Sequence, residues 1–369
     1  MSERVLSARD LNRALLARQL LLAPSDLPIT AAIEQVGGLQ TQYSPSGYVG
    51  LWSRLRDFRR EALTEALENR SVIQATMMRA TIHMASAADY PLMAEATRAT
   101  RAEWWMRLMR KQLDGIDMKA VAAATRAILG DGPRPAAEIQ AQLEAQGYPR
   151  IAWVSVGQWL DMIRVPPSGT WLRRRADLYG LAELWLGQQQ RGSGSGAGAG
   201  FGAVGPSRPA TIADGIELLI RRYLGGFGPA PVADVANWAG LPVTTVRPVI
   251  ERLDLRRFRD ERGRVLFDLR DAPLPDPATP APVRFLPTWD ATLLAHARRT
   301  EILSEERRPL IFNTKTPHSV PAFLVDGVVA GTWRYAAGRV ELSPFELLPA
   351  ATMGELEAEA ERLAAFHAD

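Results

Sequence analysis

A chain of 369 residues is long enough for two to three domains of roughly 150 residues each, and with 47% hydrophobic and 23% charged residues it can bury ordinary cores without covalent staples. The absence of cysteine excludes disulfides, iron–sulfur clusters and thiolate zinc sites. The four histidines, His83, His296, His318 and His367, are scattered without an H-x-x-x-H pair, so neither a metal nor another cofactor is expected. Net charge is only +3, but lysine occurs only at Lys111, Lys119 and Lys315, so nearly all of the 44 basic side chains are arginine. GC-rich codon usage accounts for part of that bias, and local clustering carries the information.

The N-terminus runs straight into an amphipathic helix without an apolar signal core, and no stretch reaches membrane-spanning length, so a soluble, cytoplasmic protein is expected. The first helix is predicted from Ser7 to Leu22, with Ser7 capping through Asp10 and with Leu11, Leu15 and Leu16 on one face. A second starts at Thr30, turns Ile33, Val36 and Leu39 inward, and ends where Gly37-Gly38 leads into Leu39-Gln40-Thr41-Gln42-Tyr43-Ser44-Pro45. Gly47 to Leu55 and Arg60 to Glu68 are two more helices. Val72 to Ser86 then alternates like a β-hairpin. Three helices followed by a hairpin is the order of a winged helix.

The same order returns twice. Met118–Leu129, Pro135–Gln146 and Ile151–Ile163 read as helices, followed by a hairpin from Val165 to Arg175 around Pro167-Ser168-Gly169. Thr211–Leu224, Val232–Ala239 and Val243–Leu253 are helical, followed by a hairpin from Leu255 to Leu269 around Glu261-Arg262-Gly263. Gln188 to Gly200 has the composition of a flexible linker. After a proline-rich joint, strands are expected at Val283–Leu286, Ala322–Val325, Val328–Trp333 and Val340–Leu342. Asp326-Gly327 forms a type I′ turn, and a last helix spans Glu355–His367. The fold class is mainly α with β-hairpin wings (α+β), as three tandem winged-helix domains plus a small C-terminal β-rich domain. The boundaries are residues 1–115, 116–187, a 188–207 linker, 208–275 and 283–369.

Arginines cluster on two of the wings. Arg164, Arg173, Arg174 and Arg175 flank Trp171, and Arg256, Arg257, Arg259, Arg262 and Arg264 flank the third turn. Such density with an interleaved aromatic suits a nucleic-acid backbone, while a solvated face paired with Asp177, Asp260 and Glu261 is the plainer alternative. In the first hairpin, period two puts Arg79, Thr81 and His83 on one face, either lining a site or facing solvent. Gln40 and Gln42 point the same way only if the helix has ended before them; as a bare Q-x-Q the pattern is weak.

Gly37-Gly38-Leu39-Gln40-Thr41-Gln42, the stretch Met78 to Met84 followed by Ser86 and Asp89, Phe285-Leu286-Pro287-Thr288-Trp289-Asp290, and Leu324 to Arg334 occur in one order along the chain. Together they resemble the AlkZ/YcaQ family of bacterial winged-helix DNA glycosylases. The resemblance spans Leu6 to about Pro344 and implies excision of N7-alkylated purines, including bulky or crosslinked ones, from double-stranded DNA. Its AlkZ-like branch carries a Gln-x-Gln signature, which Gln40 and Gln42 match and which would make them the catalytic residues. Thr41 stands where the middle residue is usually aliphatic.

An N7-alkylguanine is cationic, so its departing base needs no protonation. Two amide oxygens suffice to place a water beside an oxocarbenium-like sugar. A lyase step would want a nearby amine, and the three lysines offer little, so monofunctional hydrolysis is expected. Arg79, Thr81, His83, Arg164, Trp171, Arg173, Arg174, Arg175, Arg262 and Arg264 are the candidate substrate- and DNA-binding residues. A monomer is expected, since a lesion has no two-fold symmetry. The alternative is a non-catalytic winged-helix transcriptional regulator, which would bind one operator and release no base.

Overall fold

A computed structural model describes residues 4–192, 211–294, 299–313 and 318–368. Within these the fold is mixed α+β, with fifteen α-helices and four small sheets. Among the described residues no helix is long and apolar enough to cross a membrane.

Local chemistry sets most of the elements. Ser7 and Asp10 form a reciprocal capping box on the helix Ala8–Arg18, and Thr211 with Asp214 does the same for Ile212–Phe227. The first helix stops four residues before the expected Leu22, at a chain reversal where Leu20 takes a positive φ. Helices Arg60–Glu68 and Val232–Ala239 lie where their periodicity puts them, and Gly240 closes the second in the left-handed conformation. The helix expected from Thr30 runs over Ile29–Gln35, and the third over Pro45–Trp52. Asp326 and Gly327 both have positive φ, as the type I′ turn requires.

The expected wings are not separate ribbons. The first two belong to one six-stranded sheet in the order Leu39–Gln40, Ile82–Ser86, Val72–Thr76, Met162–Arg164, Leu178–Leu181, Arg134–Pro135. The second hairpin is corrected accordingly: its strands are Met162–Arg164 and Leu178–Leu181, and the residues expected to form it, Val165 to Arg175, are the loop between them. That loop contains Pro166 and Pro167, which cannot donate to a ladder, so the strands pair outside it. The third hairpin, Leu255–Asp260 with Val265–Leu269, takes Val5–Leu6 as a parallel third strand. Arg284–Leu286, Ala322–Val325, Val328–Ala336 and Arg339–Pro344 make an antiparallel sheet, against which the helix Ala350–Ala368 packs.

The cores cross the expected domain boundaries. One runs from Leu15 through Met78, Tyr223 and Trp238 to Val329; another joins Ile33, Tyr48 and Val72 to Phe285, Leu363 and Phe366; a third is confined to Leu113–Leu181. The 19-residue helix Tyr90–Leu108, which the sequence pattern did not single out, packs along Ile212–Phe227 and bridges the first core. Of the expected linker, Gln188 to Gly192 continue the helix Ala182–Gly192, and the rest lies outside the described residues.

Candidate active site

Gly37 and Gly38, at φ +78° and +85°, turn the chain out of the helix Ile29–Gln35 and into the edge of the six-stranded sheet. A Cβ on Gly38 would lie 3.1 Å from the Met84 carbonyl oxygen, so this turn packs too closely for a side chain. Leu39 and Gln40 then pair with Met84 and His83, and the Thr41 amide donates to the Ile82 carbonyl at 2.8 Å. The strand ends at Gln40 and the chain bends at Gln42, so both glutamines lie beside the start of the strand Ile82–Ser86.

Each amide is held by a donor that cannot accept. Arg79 Nη2 donates to Gln40 Oε1 at 3.0 Å, and the Ile82 backbone N–H donates to Gln42 Oε1 at 2.9 Å. Both oxygens are therefore identified by chemistry, because a guanidinium and a peptide N–H offer only protons. Gln40 is buried and Gln42 exposed, with Tyr43 beside it 44% exposed, so an open surface begins at Gln42 and Gln40 lies beneath it.

Arg79, Thr81 and His83 do not form one row on a strand. Arg79 and Ala80 have φ of +53° and +59° and make the hairpin turn, an uncommon conformation for residues other than glycine. The turn folds the Arg79 side chain back over the sheet, and its Nη1 donates to the Trp238 carbonyl at 2.6 Å. Burial lowers the Arg79 pKa to about 10, and no carboxylate counters it. His83 is fully enclosed. Burial, then the charges of Arg79 and Arg101, push it down to about 3, so the imidazole is neutral. Its Nδ1 lies 3.1 Å from the Thr81 carbonyl, which can only accept, so Nδ1 carries the proton and His83 shapes the site from inside.

The second loop meets the glutamines. Arg164 Nη1 donates to the Thr41 carbonyl at 3.3 Å, the Ser44 hydroxyl to the Arg174 carbonyl at 2.9 Å, and Arg174 Nη1 to the Tyr43 hydroxyl at 3.1 Å. Arg173, Arg174 and Arg175 are exposed, as is Leu172 at 94%, a residue the sequence pattern gives no reason to single out. Trp171 is corrected: at 6% exposed it is no surface contact but an anchor under the loop, with ring centroids 5.6 Å from Tyr48 and 5.5 Å from Phe366. An indole beside three arginines reads like a DNA contact, but its area is worth more inside the core. Arg262 and Arg264 are exposed on the third hairpin, where Arg264 pairs with Asp260 at 2.6 Å and Glu261 accepts from the Ala8 amide. That hairpin is fastened to the N-terminal segment rather than to the strand that carries the glutamines.

The Phe285–Asp290 motif is structural. Asp290 receives Arg54 through both oxygens, at 3.0 and 3.1 Å, and both side chains are buried. Among the described residues, no three His, Asp or Glu side chains gather as metal ligands.

The model of the AlkZ-like DNA glycosylase family matches residues 33–366, nearly the whole chain and both glutamines. The protein belongs to the AlkZ-like DNA glycosylase family. It is accordingly a DNA glycosylase, an enzyme of DNA repair whose substrate is DNA, which decides against the regulator. The solved structure of Streptomyces sahachiroi DNA glycosylase AlkZ has the same fold. The TM-score is 0.76 at 18% sequence identity, over 98% of this chain and 97% of that one. No curated protein matches by sequence.

Proposed function

We propose that this DNA glycosylase hydrolyses the N-glycosidic bond of N7-alkylated purines in duplex DNA, with Gln40 and Gln42 placing the attacking water. The observation that carries this reading is the pair of fixed amides. Each oxygen accepts one internal hydrogen bond and keeps a second lone pair for a water. Both are neutral, so they stabilise an oxocarbenium-like sugar without having to be deprotonated. His83, neutral and enclosed, does not act as an acid at physiological pH, and a cationic N7-alkylpurine needs none. The exposure of Gln42 and Tyr43 favours bulky adducts, of which an N7 interstrand crosslink is the extreme; a producer of such a toxin would use the enzyme for self-resistance.

The order of helices and strands supports three tandem winged-helix units at residues 1–115, 116–187 and 208–275, with a β-rich unit at 283–369. We take the chain to work as a monomer, in the cytoplasm with the chromosome. Arg79, Thr81 and Arg164 border the flipped or partly flipped nucleotide. Arg173–Arg175 hold phosphates nearby, and Arg262 and Arg264 reach the duplex farther along. The test is release of free N7-methylguanine, or of a bulkier N7 adduct, from treated duplex DNA. Release by the wild type and none by a Gln40→Ala, Gln42→Ala variant is expected; equal release by both would sink the assignment.

A further inference from the structure

Beside the glutamines the molecule carries a cleft of about 430 Å³ that the proposed chemistry does not use. One wall is the helix Tyr90–Leu108, the other the turn Gly240-Leu241-Pro242, and Arg79 and Ala80 close one end. Thr100, Trp104 and Arg107 stand four and three residues apart, so helical periodicity turns all three toward it. The Trp104 indole is 43% exposed.

Charge sets this cleft apart. Arg79, Arg101 and Arg107 line it and no carboxylate does. Four other clefts each include an acid: Asp131, Glu359, Glu95 and Asp254 respectively. Arg101 is tied behind the wall, donating to the Thr76 carbonyl and lying 3.5 Å from Asp161. Among the described residues Arg79 bonds two carbonyl oxygens, those of Gln40 and Trp238, and no carboxylate, and so brings a positive charge without a counter-ion to the end nearest the glutamines. A partly buried cation without a counter-ion favours an anion from outside. An exposed indole next to it offers a face to any base.

We propose that this cleft is a nucleotide subsite: it takes a nucleotide flanking the lesion on the damaged strand, its phosphodiester against Arg107 and Arg79 and its unstacked base on Trp104. The inference rests on the active site being at Gln40 and Gln42, since Arg79 belongs to both places. Its use is mechanical. A flanking base removed from the stack no longer holds the damaged nucleotide in the duplex, and the lesion reaches the glutamines without a closed pocket.

The experiment uses the full chain and duplexes carrying a tetrahydrofuran abasic site, with one phosphate at a time on the damaged strand replaced by a neutral methylphosphonate. In the wild type, one linkage within a few nucleotides of the site should cost about tenfold in affinity. In Arg107→Ala the same replacement should cost clearly less, about threefold, because of the two cations that face that linkage only Arg79 is left. With 2-aminopurine beside that linkage, wild type and Trp104→Phe should alter its fluorescence alike, and Trp104→Ala should leave it as in the free duplex. Equal methylphosphonate losses in wild type and Arg107→Ala at every linkage would overturn the subsite. The N7-methylguanine release assay, run on the same wild-type preparation, reports separately. Absent release together with the linkage effect would reject the substrate class and keep the subsite.

Discussion

Arg79 joins Gln40 Oε1 to the carbonyl of Trp238, 3.0 Å on one side and 2.6 Å on the other, so the orientation of the Gln40 amide depends on the end of the helix Val232–Ala239. Gly240 completes the fit: a Cβ there would lie 2.9 Å from the Arg79 backbone nitrogen, and its φ of +71° already disfavours any side chain. Arg79→Met frees the Gln40 amide to rotate and removes the local charge, so single-turnover excision at saturating enzyme should fall on the order of ten- to a hundredfold. Arg79→Lys should recover little, because an ammonium lacks the planar fork that reaches both oxygens. Full recovery by lysine would show that charge alone matters.

Thr41 departs from the aliphatic residue usual between the two glutamines. Its side chain is entirely enclosed and its hydroxyl has no hydrogen-bond partner. A buried, unpaired hydroxyl costs about 1–3 kcal/mol, and valine keeps the shape without it. Thr41→Val should therefore raise the unfolding free energy by about 1 kcal/mol, seen as a higher urea midpoint at constant m, and leave excision unchanged. A drop in excision would reveal a use for the hydroxyl that the free protein does not show.

Asp290 and Arg54 form a bidentate pair inside the molecule, joining the helix Pro45–Trp52 region to the C-terminal sheet region. Burial pushes the Asp290 carboxyl up, but Arg54 and the bonds from Thr292 outweigh it and hold it below the usual carboxylate range. Asp290→Asn leaves the Arg54 charge enclosed without its partner and should destabilise by about 3–5 kcal/mol. Since the depressed pKa means stability present above about pH 4 and lost as acid protonates the pair, the variant should also lose part of the wild type's acid sensitivity below about pH 4. Urea denaturation at pH 7 and pH 3.5 measures both.

The end of the helix before the two glutamines was legible because two adjacent glycines and a proline announce it, and the helix does stop at Gln35. The capping residues Ser7 and Asp10, and the strongly periodic Arg60–Glu68, were legible for similarly local reasons. Arg79 was misplaced because its hairpin turns on two non-glycine residues of positive φ, a choice that only the surrounding packing enforces. Trp171 was misread because an aromatic among arginines gives the same pattern on a DNA-binding wing and above a buried anchor. The helix Tyr90–Leu108 escaped notice because its apolar residues are divided among several neighbours and leave no single stripe.

His83 gives a pH signature of stability. The unfolded chain takes up a proton near pH 6.5, whereas the folded chain refuses it until about pH 3. The His83 contribution to stability is therefore complete above about pH 7 and is lost progressively as the pH falls through 6.5, at up to about 1.4 kcal/mol per pH unit. His83→Asn should flatten the decline of the urea midpoint between pH 6.5 and 5, a window above most carboxylate titrations. An unchanged slope would mean that His83 protonates normally in the fold.

The arginines after Trp171 separate binding from chemistry. Arg173 shares its charge with Asp177 at 3.1 Å, Arg174 lies over the Trp171 ring and bonds Tyr43, and Arg175 is exposed beside them. Replacing all three with alanine should weaken binding to damaged and undamaged duplex alike. It should also reduce the slope of log affinity against log salt by roughly one unit for each phosphate no longer neutralised. Arg173 should contribute least, because Asp177 already neutralises it. Single-turnover excision at saturating enzyme should stay close to normal, since none of the three bonds Gln40 or Gln42. Gln42→Ala should do the opposite: a neutral amide releases no counterions, so affinity and salt slope persist while excision collapses. Trp171→Ala is the control that distinguishes a surface from its support, and should lower stability by about 3–5 kcal/mol as a buried aromatic does. If the triple arginine variant keeps its affinity and salt slope, this loop does not touch the phosphate backbone, and the DNA path over the glutamines must run along other cations.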